Sequence, residues 1–303
     1  MELAAEYALN KNFSDNSRKH LYIRLEVNIL PVIGAIPAIK LTYPDMDRYV
    51  LIRRKAGVKD NTIRREIVDI KAILNWSVKR RPPLLPYNPI RDYPAPEARD
   101  AIISPPTLAE AQAILQHANE RLYRAIKLAW YTGLRPGAVE LLSLTWPCVL
   151  WDKKIIQVRS ANKGGPPLRD VPIHNSLISE LLAWWEKDGM GSGPIIHYRG
   201  QPIKRLKKQW DRALKASGIK RRLRPYDFRH FFITSAIEAG VDYKTVSEIV
   251  GSSPETLRRY YQHVSNDARR NAISRMPELE IPDNIAGNTL KNEPSKKNKI
   301  SIK

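Results

Sequence analysis

Prolines at positions 82, 83, 86, 89, 94, 96, 105 and 106 interrupt the chain between a shorter first part and a longer second part. Proline has no amide hydrogen and fixes φ near about −65°, so a stretch this dense sustains neither a helix nor a sheet ladder. The region from about residue 82 to 106 therefore reads as a break, and the 303 residues divide rather than share one core. The division predicts a helical domain over 1–94, a linker over 95–106, a larger domain over 107–282 and a mobile basic tail over 283–303, where Gly, Asn, Ser and Lys dominate.

Periodicity fills in the two halves. Residues 60–80 carry Ile63, Ile67, Ile70, Ile73, Leu74 and Val78 at helical spacing, with Asp60 as the expected N-cap. Thr107 with Glu110 three residues later forms a capping-box pattern that opens the next helix, and another is expected over 120–132. Residues 154–159 and 168–174 alternate as strands do, and the Gly- and Pro-rich run between them makes the pair a hairpin. Further helices are expected over 175–187, 203–217, 227–239, 242–249, 254–262 and 265–275. The tryptophans, including Trp130, Trp146, Trp184 and Trp185, are expected in the core. The fold class that results is mainly α, with a small β-sheet in the C-terminal domain.

Charge narrows the partner. Lys and Arg number 51 against 31 Asp and Glu, a formal charge of +20 and a pI near 10.0. Such an excess fits a polyanion whose phosphates release counterions on binding. The basic residues are spread along the chain rather than gathered in one amphipathic segment, which favours nucleic acid over a membrane surface. Cys148 is the sole cysteine, so no internal disulfide or multi-cysteine zinc site is available, and a reducing cytoplasm is the expected setting. The opening Met-Glu-Leu-Ala-Ala-Glu does not read as a signal peptide, and no apolar run approaches the ~18 residues of a membrane span.

Three segments in the second half carry chemistry. The first is Thr132-Gly133-Leu134-Arg135-Pro136-Gly137, followed by Glu140, in which glycines flank an arginine and suit a tight turn. The second is Arg224-Pro225-Tyr226-Asp227-Phe228-Arg229-His230-Phe231. The third runs from Gly251-Ser252-Ser253-Pro254 to Tyr260-Tyr261-Gln262-His263-Val264, with Tyr261 ten residues after Gly251.

With these residues in view, the chain resembles a tyrosine recombinase of the phage-integrase type over about 107–276. Thr132-Gly133-Leu134-Arg135 resembles the family's first arginine box, and Arg229-His230 followed by aromatics resembles the second. Gly251 with Tyr261-Gln262-His263-Val264 resembles the nucleophile region, and Lys163 with Val171-Pro172-Ile173 behind it resembles the lysine hairpin. The order and spacing of the boxes are specific, although each alone is weak.

The resemblance implies a two-domain clamp on double-stranded DNA, a helical core-binding domain plus a mixed α/β catalytic domain, with room before the linker for one core-binding domain. It implies four protomers acting on two DNA sites, with no cofactor and no metal. Arg135 and Arg229 would then hold a phosphate, since a planar, permanently charged fork suits its oxygens. Tyr261 would be the nucleophile, with Tyr260 as a packing neighbour, and Lys163 the acid for the departing hydroxyl.

The chain departs from the family at two places. Tyr226 stands where a histidine is usual, three residues before Arg229, and Ser252 follows Gly251 where a histidine or tryptophan is usual. Both are expected to contact phosphate, and neither supplies an imidazole. Ala138 occupies the usual place of an acid, and Glu140, two residues on, is expected to orient Arg135. His230 and His263 are expected as supporting residues and as candidates to replace the missing histidines. Two other activities stay open at this point: a DNA-binding relative with weakened catalysis, and a relaxing enzyme like a type IB topoisomerase.

Overall fold

A computed structural model describes residues 2–97, 104–160 and 167–261. Lys163, His263, the expected helix over 265–275 and the expected tail lie outside the described residues. The chain divides into two compact units, Met1–Ala101 and Ile102–Lys303. The described structure is mainly helical with small antiparallel sheets confined to the second unit.

The first unit contains α1 (Glu2–Asn10), α2 (Asp15–Ile23), a π-helical turn (Arg24–Ile29), α3 (Leu30–Ile33), α4 (Tyr43–Lys55) and α5 (Asp60–Lys79). Ile63, Ile67, Ile70, Ile73 and Leu74 of α5 are buried together with Met46 and Tyr49 of α4, as helical spacing requires. Burying Glu66 in this core is tolerable because Arg53 donates two hydrogen bonds to it, at 3.0 and 2.8 Å, and the Tyr49 hydroxyl a third, at 2.8 Å. Two expectations are corrected. Lys59, not Asp60, occupies the N-cap of α5, and the Asp60 carboxylate instead accepts two bonds from Arg54. The prolines from 82 to 89 do not start a linker, because Leu85, Ile90 and Tyr93 are buried in this unit's core. Proline forbids regular backbone pairing but not burial of its neighbours, and the Leu84 amide and the Tyr93 hydroxyl tie the segment to Ser77 and Asp47.

The second unit begins with α6 (Leu108–Gln116), closed by the reciprocal Thr107–Glu110 capping box, and α7 (Glu120–Thr132). Strands β1 (Val149–Leu150), β2 (Ile155–Arg159) and β3 (Leu168–Pro172) form an antiparallel sheet in that order. Then come α8 (Asn175–Lys187), the β4 (His197–Tyr198) and β5 (Gln201–Pro202) pair, α9 (Lys207–Ala216), α10 (Asp227–Glu238), α11 (Tyr243–Val250) and α12 (Pro254–Tyr261). The expected helix over 203–217 begins only at Lys207. Residues 201–202 are held extended in β5, and Ile203 and Leu206 reach the core from non-helical backbone.

The apolar residues of this unit form two clusters. The larger gathers α7, the three-stranded sheet, α8 and α9 with Phe228 of α10. The smaller joins Ile233 and Ile237 of α10 to Val246, Val250, Leu257 and Tyr261 of α11 and α12. Helix α10 thus has its first turn in one core and its later turns in the other. Trp146, Trp184 and Trp210 are buried, and Trp130 stacks on Phe231 at 3.7 Å between centroids. Among the described residues no helix is long and apolar enough to cross a membrane.

Candidate active site

Helix α7 ends on Gly133, which adopts φ +63° and donates its amide to the Ala129 carbonyl. A left-handed cap turns the chain sharply and is costly for any residue with a Cβ. Here a Cβ would also lie 2.6 Å from Phe232, so glycine is required twice over. The turn buries Leu134 and releases Arg135 from the end of the helix.

Arg135 is held at several points. Its amide donates to Glu140 Oε2 at 3.0 Å, and its Nη1 to Glu140 Oε1. Its Nη2 donates to the Gly251 carbonyl at 2.5 Å and to Ser252 Oγ at 3.3 Å. Arg229, 1% exposed, donates from Nη1 to the Gly133 carbonyl and from Nη2 to Ser252 Oγ, both at 2.7 Å. Two guanidinium groups from different elements therefore converge on one oxygen, the Ser252 hydroxyl. Burial, and then the neighbouring Arg135 charge, pull the Arg229 pKa down, yet a guanidinium stays cationic at neutral pH.

A third arginine completes the arrangement. Arg169 of β3 pairs opposite Val158 and is buried. It donates to Glu140 Oε2 at 2.7 Å, to the Ile249 carbonyl at 2.9 Å and to Ser160 Oγ at 3.2 Å. Its guanidinium also lies against Gly251, where a Cβ would come within 3.0 Å of Nη1. Burial opposes ionisation of Glu140, but the bonds from Arg169 and Arg135 outweigh it and hold the carboxyl below the usual carboxylate range. Arg169 was not among the residues singled out from the sequence. The signal was present: in the strand 168–172 it shares the inward phase with Val171, and an inward arginine needs a buried carboxylate.

The phenol stands on the other flank of α10. Tyr261, at the end of α12, is 3% exposed, and its hydroxyl is in hydrogen-bond contact with Nδ1 of His230. Burial pushes its pKa well above the ordinary value, with the Arg229 charge working in the opposite direction. Tyr260, expected to pack, instead lies at the surface beneath the Arg259 guanidinium, while Tyr261 is the buried one. Tyr226 is 37% exposed and sets its ring edge against His230, with centroids 5.1 Å apart. Asp227 fixes this turn by accepting the Arg224 amide at 2.7 Å. The structure thus brings together Arg135, Glu140, Ser252 and Arg229, and beside them Tyr226, His230 and Tyr261.

Such a site can hold one tetrahedral anion between two cationic forks, with a phenol on the neighbouring helix. Known proteins share this fold. An integrase of the transposon Tn1549, in complex with circular intermediate DNA, superposes with a TM-score of 0.74 over 91% of this chain and 98% of that one, at 19% identity. A lambda integrase dimer bound to a COC' core site gives 0.68 over 84% and 95%, at 17% identity. The fold is that of the integrase-type recombinases. By sequence, the chain is 26% identical over 245 residues to tyrosine recombinase XerC of Corynebacterium glutamicum, covering 74% of each. It is 24% identical over 283 residues to tyrosine recombinase XerD of Chlorobaculum tepidum, covering 84% of this chain and 88% of the relative. The phage integrase family pattern matches residues 107–267. The chain belongs to the phage integrase family.

Proposed function

We propose that the protein is a site-specific DNA recombinase that cuts and rejoins double-stranded DNA through a 3′-phosphotyrosine on Tyr261. The observation that carries the reading is the convergence of Arg135 and Arg229 on the single Ser252 hydroxyl. A phosphate oxygen arriving there meets the same donors, and they stabilise the charge that builds up as phosphorus becomes five-coordinate. Ser252 and Tyr226 add hydroxyl donors, and Glu140 and Arg169 keep Arg135 and the Gly251 turn in place. Lys163 protonates the departing 5′-oxygen, and His263 has a supporting role. The positive charge comes from protein side chains, so the reaction needs no metal. The bond energy stays in the phosphotyrosine, which lets another strand's 5′-hydroxyl reseal the backbone without ATP.

The charge of +20 and the relatives solved with DNA support the partner. Exchange between two duplexes requires four such sites, hence a homotetramer on two DNA sites. The test is recombination between the attachment sites flanking the element that encodes the protein. Junction products are expected with the native chain and none with Tyr261→Phe, while both bind the site equally. Site binding without strand cleavage by the native chain would reduce the protein to a DNA-binding relative. Supercoil relaxation at unrelated sequences would make it a relaxing enzyme.

A further inference from the structure

A tyrosine nucleophile must give up its phenolic proton as the bond to phosphorus forms. Tyr226 stands in the usual place of an imidazole, and a phenol does not accept a proton at neutral pH. One residue beyond Arg229, however, His230 directs Nδ1 at the Tyr261 hydroxyl, with ring centroids 5.8 Å apart. We propose that His230 is the general base that takes the Tyr261 proton during cleavage and returns it during rejoining. The inference rests on the reading of Tyr261 as the nucleophile.

The surroundings suit that role. Neutral imidazole has one acceptor nitrogen, so a contact in which the phenol donates to Nδ1 leaves the ring proton on Nε2. The charged groups acting on the ring come from α10 and the turn before it: Asp227 favours protonation, while Arg224 and Arg229 oppose it. From α12 the ring meets Tyr261, and from its own side the edge of Tyr226. Burial dominates and lowers the His230 pKa to about 4, so the base is vacant at any pH near neutrality. The same burial raises the phenol. The proton therefore rests on Tyr261 until a phosphate is seated between Arg135 and Arg229, and it moves in concert with the chemistry. In that step the bond from Tyr261 Oη to phosphorus forms and the bond from phosphorus to O5′ breaks. The phenolic proton passes to Nδ1, and O5′ receives a proton from the acid. Rejoining runs each transfer backwards, with His230 as the acid for the leaving phenol.

A residue that merely packs against Tyr261 makes different predictions, and the test separates the two. Single-turnover cleavage is followed on nicked duplexes built from the element's own junction sequences, using the full chain. His230→Gln, which keeps a hydrogen-bonding side chain but no base, is expected to slow adduct formation about 100-fold with site binding unchanged. Native cleavage is expected to stay nearly flat from pH 8 to about pH 5.5, because a base with a pKa of about 4 remains unprotonated there. The variant's rate should instead rise about tenfold per pH unit, as removal of the proton by hydroxide requires. Difluorotyrosine in place of Tyr261, a more acidic phenol, should restore at least about tenfold of the loss in the variant and little in the native chain. A native rate in His230→Gln overturns the proposal. So does a slow variant with the native pH profile and no gain from the fluorinated phenol, which marks a packing role. If Tyr261→Phe still forms the adduct with His230 intact, it is the nucleophile reading that fails.

Discussion

Glu140 is 1% exposed and ties Arg135 to Arg169 through its two oxygens. Among the described residues it is the one carboxylate that pairs with either arginine, and without it two like charges would face each other in a buried site. Glu140→Gln is expected to destabilise the protein by about 3 kcal/mol, read from urea unfolding, and to lower cleavage by at least about 100-fold through misplacement of Arg135. An unchanged unfolding midpoint would mean that the pair is solvated in solution. Residues of this kind were unevenly legible. Arg135, Arg229 and Tyr261 stood out because the short segments around them resemble the family's boxes, whereas Arg169 acts through partners 29 and 80 positions away in the chain. Its only local mark was a charge in the inward phase of a strand. The sequence also pointed to Tyr260 as the packing residue, whereas packing against Val246, Val250 and Leu257 gives the buried place to Tyr261.

At the scale of elements, the site is built from helix ends. Gly133 and Gly251 close α7 and α11 in left-handed caps at φ +63° and +67°, and both send the next residues toward the arginines. Gly133→Ala is expected to cost at least about 1–2 kcal/mol from the backbone alone. The contact with Phe232 adds to that and pushes α10 away, so the Arg229 bond to the Gly133 carbonyl should be lost. Thermal unfolding and single-turnover cleavage should both register the change. Full retention of cleavage would show that the cap does not set the position of Arg229. Most elements were readable because apolar spacing and caps agree, as in α6 and α7. The start of α9 was not, because apolar residues at 203 and 206 continue the helical pattern while β5 holds the preceding backbone extended. The proline stretch misled in a related way: it ends regular structure at residue 79, yet the chain goes on packing to Tyr93.

At the scale of the molecule, two units carry a charge of +20. Phosphate contacts release counterions, so site affinity is expected to fall on the order of 10³-fold between 50 and 200 mM salt, measured by titration of a labelled duplex. A nearly flat dependence would remove the electrostatic basis of DNA binding. Proline density was legible because it is a local property. The convergence of Arg135 and Arg229, from separated segments, on the Ser252 hydroxyl was not, since no periodicity reports which loops meet. The central claim is that Tyr261 attacks a phosphate held by Arg135 and Arg229, and peptide mapping of the trapped adduct tests it most directly. Trypsin cuts after Arg259, and the peptide that follows contains both Tyr260 and Tyr261. Fragmentation should place the nucleotide on Tyr261 through a 3′-phosphate; its location on Tyr260, or on any other residue, would contradict the account.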